Sequence, residues 1–280
     1  PTCNRINNLA ETIASVLNQD YQFLEIVISD NASTDKTEDF CKDLCSRDER
    51  VVYNRQKRNI GPTNNFKAVL EKATGDYFMW LGDDDKLDSN YISECLKELE
   101  KNDDCTLVSG TSKYYLNNTE KNVDAQINLL SNNPYKRVIR YYSSVSGNGV
   151  FYGLYKRKAL DSFQIKNKLG NDWLLISNIA FLGKIKTVNT TFVHRKLGGS
   201  TAGFKDIVTA LGLPGIQAVF PHFIIAGHAF NEVLRESFVY QNTSKEKRFL
   251  LACSVFMTII YYKVIKVNAR GVMKLLTGNK

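Results

Sequence analysis

The sequence predicts an α/β fold: a mainly parallel sheet flanked by helices, with a C-terminal helical extension. Three observations lead there. Apolar runs at residues 23–30, 51–53, 77–81 and 106–109 alternate with stretches of helical periodicity, as βαβ units require. Two of these runs end abruptly in carboxylates, Asp30 and Asp83-Asp84-Asp85, at the strand ends where open α/β sheets bind ligands. After about residue 204 the strand patterns stop and long apolar helical stretches take over.

Residues 1–5 read as a loop. Leu9, Ile13, Val16 and Leu17 recur at helical spacing over 7–18, with Asn7 or Asn8 placed to cap. The strand over 23–30 runs into Asn31-Ala32-Ser33-Thr34-Asp35, a turn and cap for a helix reaching about Ser46. A short strand at 51–53 precedes a polar loop, 55–63, whose Gly61-Pro62 leads into a helix carrying Phe66, Val69 and Leu70. The unbroken apolar run 77–81 predicts a buried strand ended by Gly82; a helix over 88–101 and a strand over 106–109 follow.

Beyond residue 116 the regularity fades into Asn-rich loops. A helix near 135–142, a strand at 150–155, a buried helix at 172–181 and a strand at 184–195 are predicted there, before a loop bearing Gly198-Gly199-Ser200-Thr201. Helical patterns at 220–240 and 249–267 follow, the second preceded by Lys245-Glu246-Lys247-Arg248. Lys263 and Lys266 interrupt it before the roughly 20 apolar residues a membrane span needs. A helix lying on a membrane surface, with contact over residues 245–267, fits this composition. So does a helix packed in a core or between copies.

With 280 residues, 43% hydrophobic and 24% charged, the chain has an ordinary globular composition and enough length for a sizeable core. Basic residues outnumber acidic ones by 37 to 29, which favours phosphorylated ligands, nucleic acid or an anionic membrane. No basic stripe interleaved with aromatics appears, which argues against nucleic acid. The six cysteines form no CxxC pair and fit a reduced, cytoplasmic setting. In that setting the glycosylation acceptor patterns at Asn31, Asn117, Asn189 and Asn242 stay idle. The chain opens at Pro1 without a methionine, as though a strand had preceded it.

Adjacent carboxylates repel unless a cation or donors hold them ionised. The Asp83–Asp85 run therefore suits a hard divalent ion, Mg²⁺ or Mn²⁺, or else forms an acidic solvated turn. Asp30 stands where α/β folds hold a nucleotide's ribose or base, and it could equally cap the next helix. The cations of Arg55-Gln56-Lys57-Arg58 lie near the same edge and could meet a diphosphate. No Gly-x-x-x-x-Gly-Lys-Ser/Thr loop and no Gly-x-Gly-x-x-Gly turn occurs, which weakens kinase and dehydrogenase readings. Histidine occurs only at 194, 222 and 228, without a nucleophile elbow, so hydrolase triads have little support.

Five segments occur in one order: Pro1-Thr2-Cys3-Asn4-Arg5, Ser15–Gln19, Glu25–Asp35, Asn59-Ile60-Gly61 and Gly75–Asp85. Together they resemble the nucleotide-sugar-binding half of glycosyltransferase family 2, with its Rossmann-like GT-A fold. The resemblance is close over 1–110 and loose to about 200. It implies a nucleotide-sugar-binding half at 1–110, an acceptor-binding half at 111–203, and a helical extension at 204–280. It implies that Pro1, Thr2, Asn4, Arg5, Asp30, Asn31, Arg58, Asn59 and Asp83 line the nucleotide sugar. It also places the acidic run at the family's metal-binding position, where Asp84 aligns best and Asp85 lies beside it. Gly82 departs from the family pattern, which often has an Asp there.

The same resemblance implies a general base at Asp172, in Gly170-Asn171-Asp172-Trp173, where an N-cap role can coexist. It places His194 where some members put a metal- or phosphate-contacting residue; a core or surface histidine is the alternative. The implied activity is inverting transfer of a sugar from a nucleoside-diphosphate sugar to a glycan or lipid-linked acceptor, in bacterial surface polysaccharide synthesis. The implied location is the cytoplasm, or the cytoplasmic face of the inner membrane. A sugar nucleotidyltransferase and a non-catalytic membrane-associated binding module are the alternatives. Oligomeric state is not legible in the sequence.

Overall fold

A computed structural model describes residues 1–117, 119–197 and 203–268. The Gly198–Thr201 loop lies outside them. In chain order the elements begin with α1 (Ile6–Leu17), β1 (Ile26–Asp30), α2 (Thr37–Arg47), β2 (Val51–Arg55) and α3 (Pro62–Lys72). Then come β3 (Tyr77–Phe78), β4 (Lys86–Leu87), α4 (Tyr91–Lys101), β5 (Cys105–Leu116) and β6 (Thr119–Val123). The second half contains α5 (Pro134–Ser144), β7 (Leu154–Lys156), α6 (Asn171–Leu182) and β8 (Lys184–Lys196). The tail contains α7 (Phe204–Ala210), α8 (Ile216–Val219), α9 (Pro221–Asn231) and α10 (Lys245–Ile260).

The α/β class holds, with the strands in two sheets. β1 and β2 pair in parallel, and Thr2 adds a parallel bridge to Asp30. The larger sheet runs β3-β7-β5-β8-β4, with β6 paired to β5. Its long central pair, β5 and β8, is parallel, as the intervening crossover through α5 and α6 requires. The pairs β3/β7, β5/β7, β4/β8 and β5/β6 are antiparallel, so this sheet is mixed.

Two strand predictions differ from the structure for a physical reason. The run 77–81 is buried, but only Tyr77 and Phe78 join the ladder. Trp80 is 1% exposed, donates its indole N–H to the Phe66 carbonyl at 3.0 Å, and stacks on Phe151 at 5.1 Å. An apolar run reports burial, and burial does not require strand pairing. Likewise 150–155 divides into a 3₁₀ turn, Gly149–Tyr152, and the short β7.

One core cluster joins Phe78, Trp80 and Leu107 of the sheet region to Tyr141 of α5 and Ile176 of α6. The same cluster includes Ile225 and Ala229 of α9 and Leu251, Val255 and Ile259 of α10. The tail is therefore packed onto the α/β body. Helix continues from α10 through a π-helical turn, Tyr261–Ile265, to residue 268. The stretch Lys245–Asn268 is long and apolar enough to cross a membrane by length and composition, with 28% of its apolar window buried. Lys263, expected to interrupt that span, turns inward instead: it donates to the Val145 carbonyl and lies 5.7 Å from the Trp173 ring.

Trp80 anchors this core, so Trp80→Ala is expected to cost about 3–5 kcal/mol, read from urea denaturation. A loss below about 1 kcal/mol would show that the site collapses around the cavity.

Candidate active site

The first carboxylate site is built at the end of β1. Asp30 is fully buried: its Oδ1 accepts the Ser33 N–H at 2.8 Å, and its Oδ2 accepts the Tyr53 hydroxyl at 2.7 Å. Burial, then the Asp30 bond and charge, push the Tyr53 phenol well above its usual range. The cation that reaches Asp30 is Arg55, with Nε 3.6 Å from Oδ2 and 2.9 Å from Glu38. Arg58 stands exposed on the loop beyond it. Asn31 donates to Asn59 Oδ1 at 2.9 Å and accepts the Ile60 N–H at 2.8 Å, tying the Asn59-Ile60-Gly61 loop to the strand end. Asn4, in a left-handed conformation (φ 54°), accepts from the Thr34 N–H at 2.7 Å.

The acidic run joins this site through the first residues of the chain. Thr2 donates its hydroxyl to Asp83 at 2.8 Å, while its carbonyl accepts the Asn31 N–H at 2.9 Å. Arg5 bridges Asp83 at 3.1 Å and Asp84 at 2.9 Å. Burial raises the Asp83 carboxyl above its ordinary range, against the opposing Thr2 bond and Arg5 charge. Asp85 is 2% exposed and pairs with Arg195 at 3.3 Å. Burial pushes its carboxyl up to about 6, against the Arg195 charge. Of the three side chains Asp84 is the most accessible, at 20%.

Asp172 lies in the first turn of α6 as its second residue; the N-cap position is Gly170, at φ +78°. A Cβ on Gly170 would meet Ile225 at 2.8 Å, so glycine serves both the left-handed turn and the close approach of α9. Asp172 is half-buried, and its Oδ2 accepts the Asn148 amide at 2.8 Å. Burial raises its carboxyl above the usual range, opposed by Asn148 and by backbone N–H groups of the helix start.

His194 does not join this cluster. It faces Asp88 at 2.7 Å and Tyr115 at 3.1 Å, so both ring nitrogens are taken up by protein partners at the β4–β8 edge. A metal- or phosphate-contacting role would require His194 to exchange one of these partners. Among the described residues no three His, Cys, Asp or Glu side chains gather as a metal set. The donor chemistry still suits a small hard cation: Mg²⁺ is commonly held by one or two carboxylates plus substrate phosphates, without an all-protein cage. Asp84, with a neighbouring carboxylate on each side, fits that pattern.

A cavity of about 430 Å³ opens between β1 and β3, lined mainly by apolar side chains such as Ile13, Ile26, Ile28, Phe78 and Trp80. Asp83 lies at its edge, and Asp84 does not line it. An apolar lining gives a diphosphate few donors, so the chemistry belongs to the polar strand-end cluster. The sequence marks Arg55 only as one of the cations of its loop, and Arg195, Tyr114 and Asn148 carry no local signal.

A family model described as "Glycosyl transferase family 2" matches residues 1–163. A Campylobacter jejuni protein named GalNAc(5)-diNAcBac-PP-undecaprenol beta-1,3-glucosyltransferase is 36% identical over 35% of this chain. The chain spans about a third of the length of that relative (32%) and of a Rickettsia conorii glycosyltransferase (33%). The crystal structure of S. aureus TarS 1–349 superposes with a TM-score of 0.64 at 16% identity, covering 93% of this chain and 70% of that one. A Pyrobaculum calidifontis mannosyltransferase, solved with GDP-Man and Mn²⁺, gives 0.54 at 14% identity, covering 99% and 79%. The structural likeness shows the GT-A fold. With the family model matching more than half of the sequence, the chain belongs to glycosyltransferase family 2.

Proposed function

We propose that the chain moves a sugar from a nucleoside-diphosphate sugar to a hydroxyl of a glycan or lipid-linked acceptor, with inversion, in assembling a bacterial surface polysaccharide. What carries this reading is the linkage of Asp30 to the Asp83–Asp85 run through Thr2 and Arg5, with Asp172 within the electrostatic reach of Arg195, the partner of Asp85. Residues 1–110 hold the nucleotide sugar, 111–203 receive the acceptor, and the helices after 204 extend the body.

Arg55, beside the buried Asp30 carboxylate, addresses the nucleoside, with Asn31 and Asn59 shaping the loop over it. Asp84, beside Asp83 and Asp85, would hold Mg²⁺ or Mn²⁺, which when bound supplies positive charge against the diphosphate. Asp172 takes the proton of the acceptor hydroxyl as its oxygen bonds to the anomeric carbon. The bond from that carbon to the phosphate oxygen breaks, and its electron pair leaves with the nucleoside diphosphate. The lipid-linked acceptor named for the Campylobacter relative supports the acceptor class. Thermal melting with uridine, guanosine and thymidine diphosphates tests the site. One of them should raise the melting temperature more with Mn²⁺ than without; silence from all three would remove the donor assignment.

The tail suits a peripheral membrane contact. Phe249 and Leu250 of α10 and Phe220 and Phe223 around the start of α9 are exposed, with Lys245, Lys247 and Arg248 beside the first pair. Because α9 and α10 build the core, truncation at residue 203 is no test. The double variant Phe249→Ser/Leu250→Ser should keep its fold and lose co-sedimentation with anionic phospholipid vesicles. Unchanged co-sedimentation would place the contact elsewhere.

A further inference from the structure

We propose that Asn148 is the positioning residue that orients the Asp172 carboxylate for proton transfer, with its own amide held by Tyr141. This rests on the reading of Asp172 as the base. Asn148 is 4% exposed and holds a left-handed backbone at φ 53°. Its Nδ2 donates to Asp172 Oδ2 at 2.8 Å, and its Oδ1 accepts the Tyr141 hydroxyl at 2.8 Å. Tyr141 is fully buried, so its hydroxyl proton is committed to the amide oxygen. The amide can therefore present only its nitrogen to the carboxylate.

The residues flanking Asn148 explain why it adopts this backbone. A Cβ on Gly147 would stand 2.5 Å from the Tyr114 hydroxyl, and one on Gly149 would stand 1.9 Å from Ser112 Oγ. Both glycines let the turn press against the β5 surface. Asp124 fastens it there, accepting the Gly149 N–H at 3.1 Å and the Tyr114 hydroxyl at 2.7 Å. Tyr114 accepts from Arg195 at 3.1 Å, and Arg195 pairs with Asp85. The group that aims the base thus shares one hydrogen-bonded frame with the acidic run.

An amide carries no charge, so Asn148 favours the ionised carboxylate by donating a hydrogen bond, without the tight ion pair a cation would make. Other groups around Asp172 are the Arg195 charge, the buried hydroxyls of Tyr141, Tyr142 and Tyr155, and the hydroxyl of half-buried Tyr152. Lys263 lies over the neighbouring Trp173 ring. None of these is removed by changing residue 148.

The test is a carbon-detected NMR titration of the Asp172 carboxyl in substrate-free protein, its signal assigned by its loss in Asp172→Asn. Asn148→Gly keeps the left-handed backbone without strain and deletes only the amide. Its Asp172 midpoint should rise by about one pH unit, the size of one hydrogen bond to a charged group. Tyr141→Phe, which preserves the ring, should shift it in the same direction by less, with melting close to wild type. Turnover should fall at least tenfold in Asn148→Gly, with unchanged affinity for whichever of UDP, GDP or dTDP stabilises the wild type. An unmoved midpoint in both variants would overturn the positioning role while leaving the base intact. Normal turnover in Asp172→Asn would instead overturn the base on which it stands.

Discussion

Asp172→Asn is expected to abolish sugar transfer while leaving nucleotide binding near its wild-type value. An amide cannot accept the acceptor's proton, and a general base of this kind contributes about 10²–10⁴ in rate. The replacement keeps the size of the side chain and an oxygen for the Asn148 donor at 2.8 Å, so the frame should persist. A calorimetric titration with UDP, GDP or dTDP would check the intact site, and initial rates would read the loss. The wild-type pH profile follows from the same carboxylate. Burial raises its pKa, so the ionised base is lost as pH falls through a point above the ordinary aspartate value of about 4. Turnover should rise with pH through that limb, and the residual rate of Asp172→Asn should lack it. A variant that kept normal turnover would remove Asp172 from the chemistry.

The second large effect is expected at Asp84. Chelation of divalent ions should silence turnover, and Mn²⁺ or Mg²⁺ should restore it. Asp84→Ala should raise the metal concentration needed for half-maximal rate by more than the 10–100-fold typical of losing a supporting outer-shell group. The same variant relieves Arg5 of the Asp84 carboxylate and leaves it paired with Asp83 at 3.1 Å, so the loop should stay in place. Asp85→Ala is a different experiment, because it strands the half-buried Arg195 charge beside Tyr114 and Tyr152 and so lowers stability as well. Comparable metal dependence in wild type and Asp84→Ala would move the metal from this residue.

Much of the first half was legible because its signals are local. Asp30 and Asp83 sit at the ends of short apolar runs in the two sheets, and Thr2 joins them in one hydrogen-bonded cluster. Asn31 and Asn59 belong to the same cluster. Arg195 and Asn148 carried no such mark: each owes its place to partners 24 to 110 residues away, such as Tyr152, Asp85 and Asp172. His194 reads as a ligand site from its position near a strand end, and in the structure Asp88 and Tyr115 hold its ring. The tail showed a further limit. Apolar periodicity over 220–240 and 249–267 marked helices, but only the packing of Ile225, Val255 and Ile259 reveals that their inner faces belong to the central core.

The central claim is metal-dependent transfer from a nucleoside-diphosphate sugar. Its most direct measurement is incubation of the protein with UDP-, GDP- and dTDP-sugars and Mn²⁺, followed by nucleotide analysis and NMR of the sugar anomer. Release of a nucleoside diphosphate from one donor, stopped by chelation and accompanied by an inverted anomeric linkage, is the predicted result. Release of pyrophosphate, retention of configuration, or no turnover with any of these donors would contradict it.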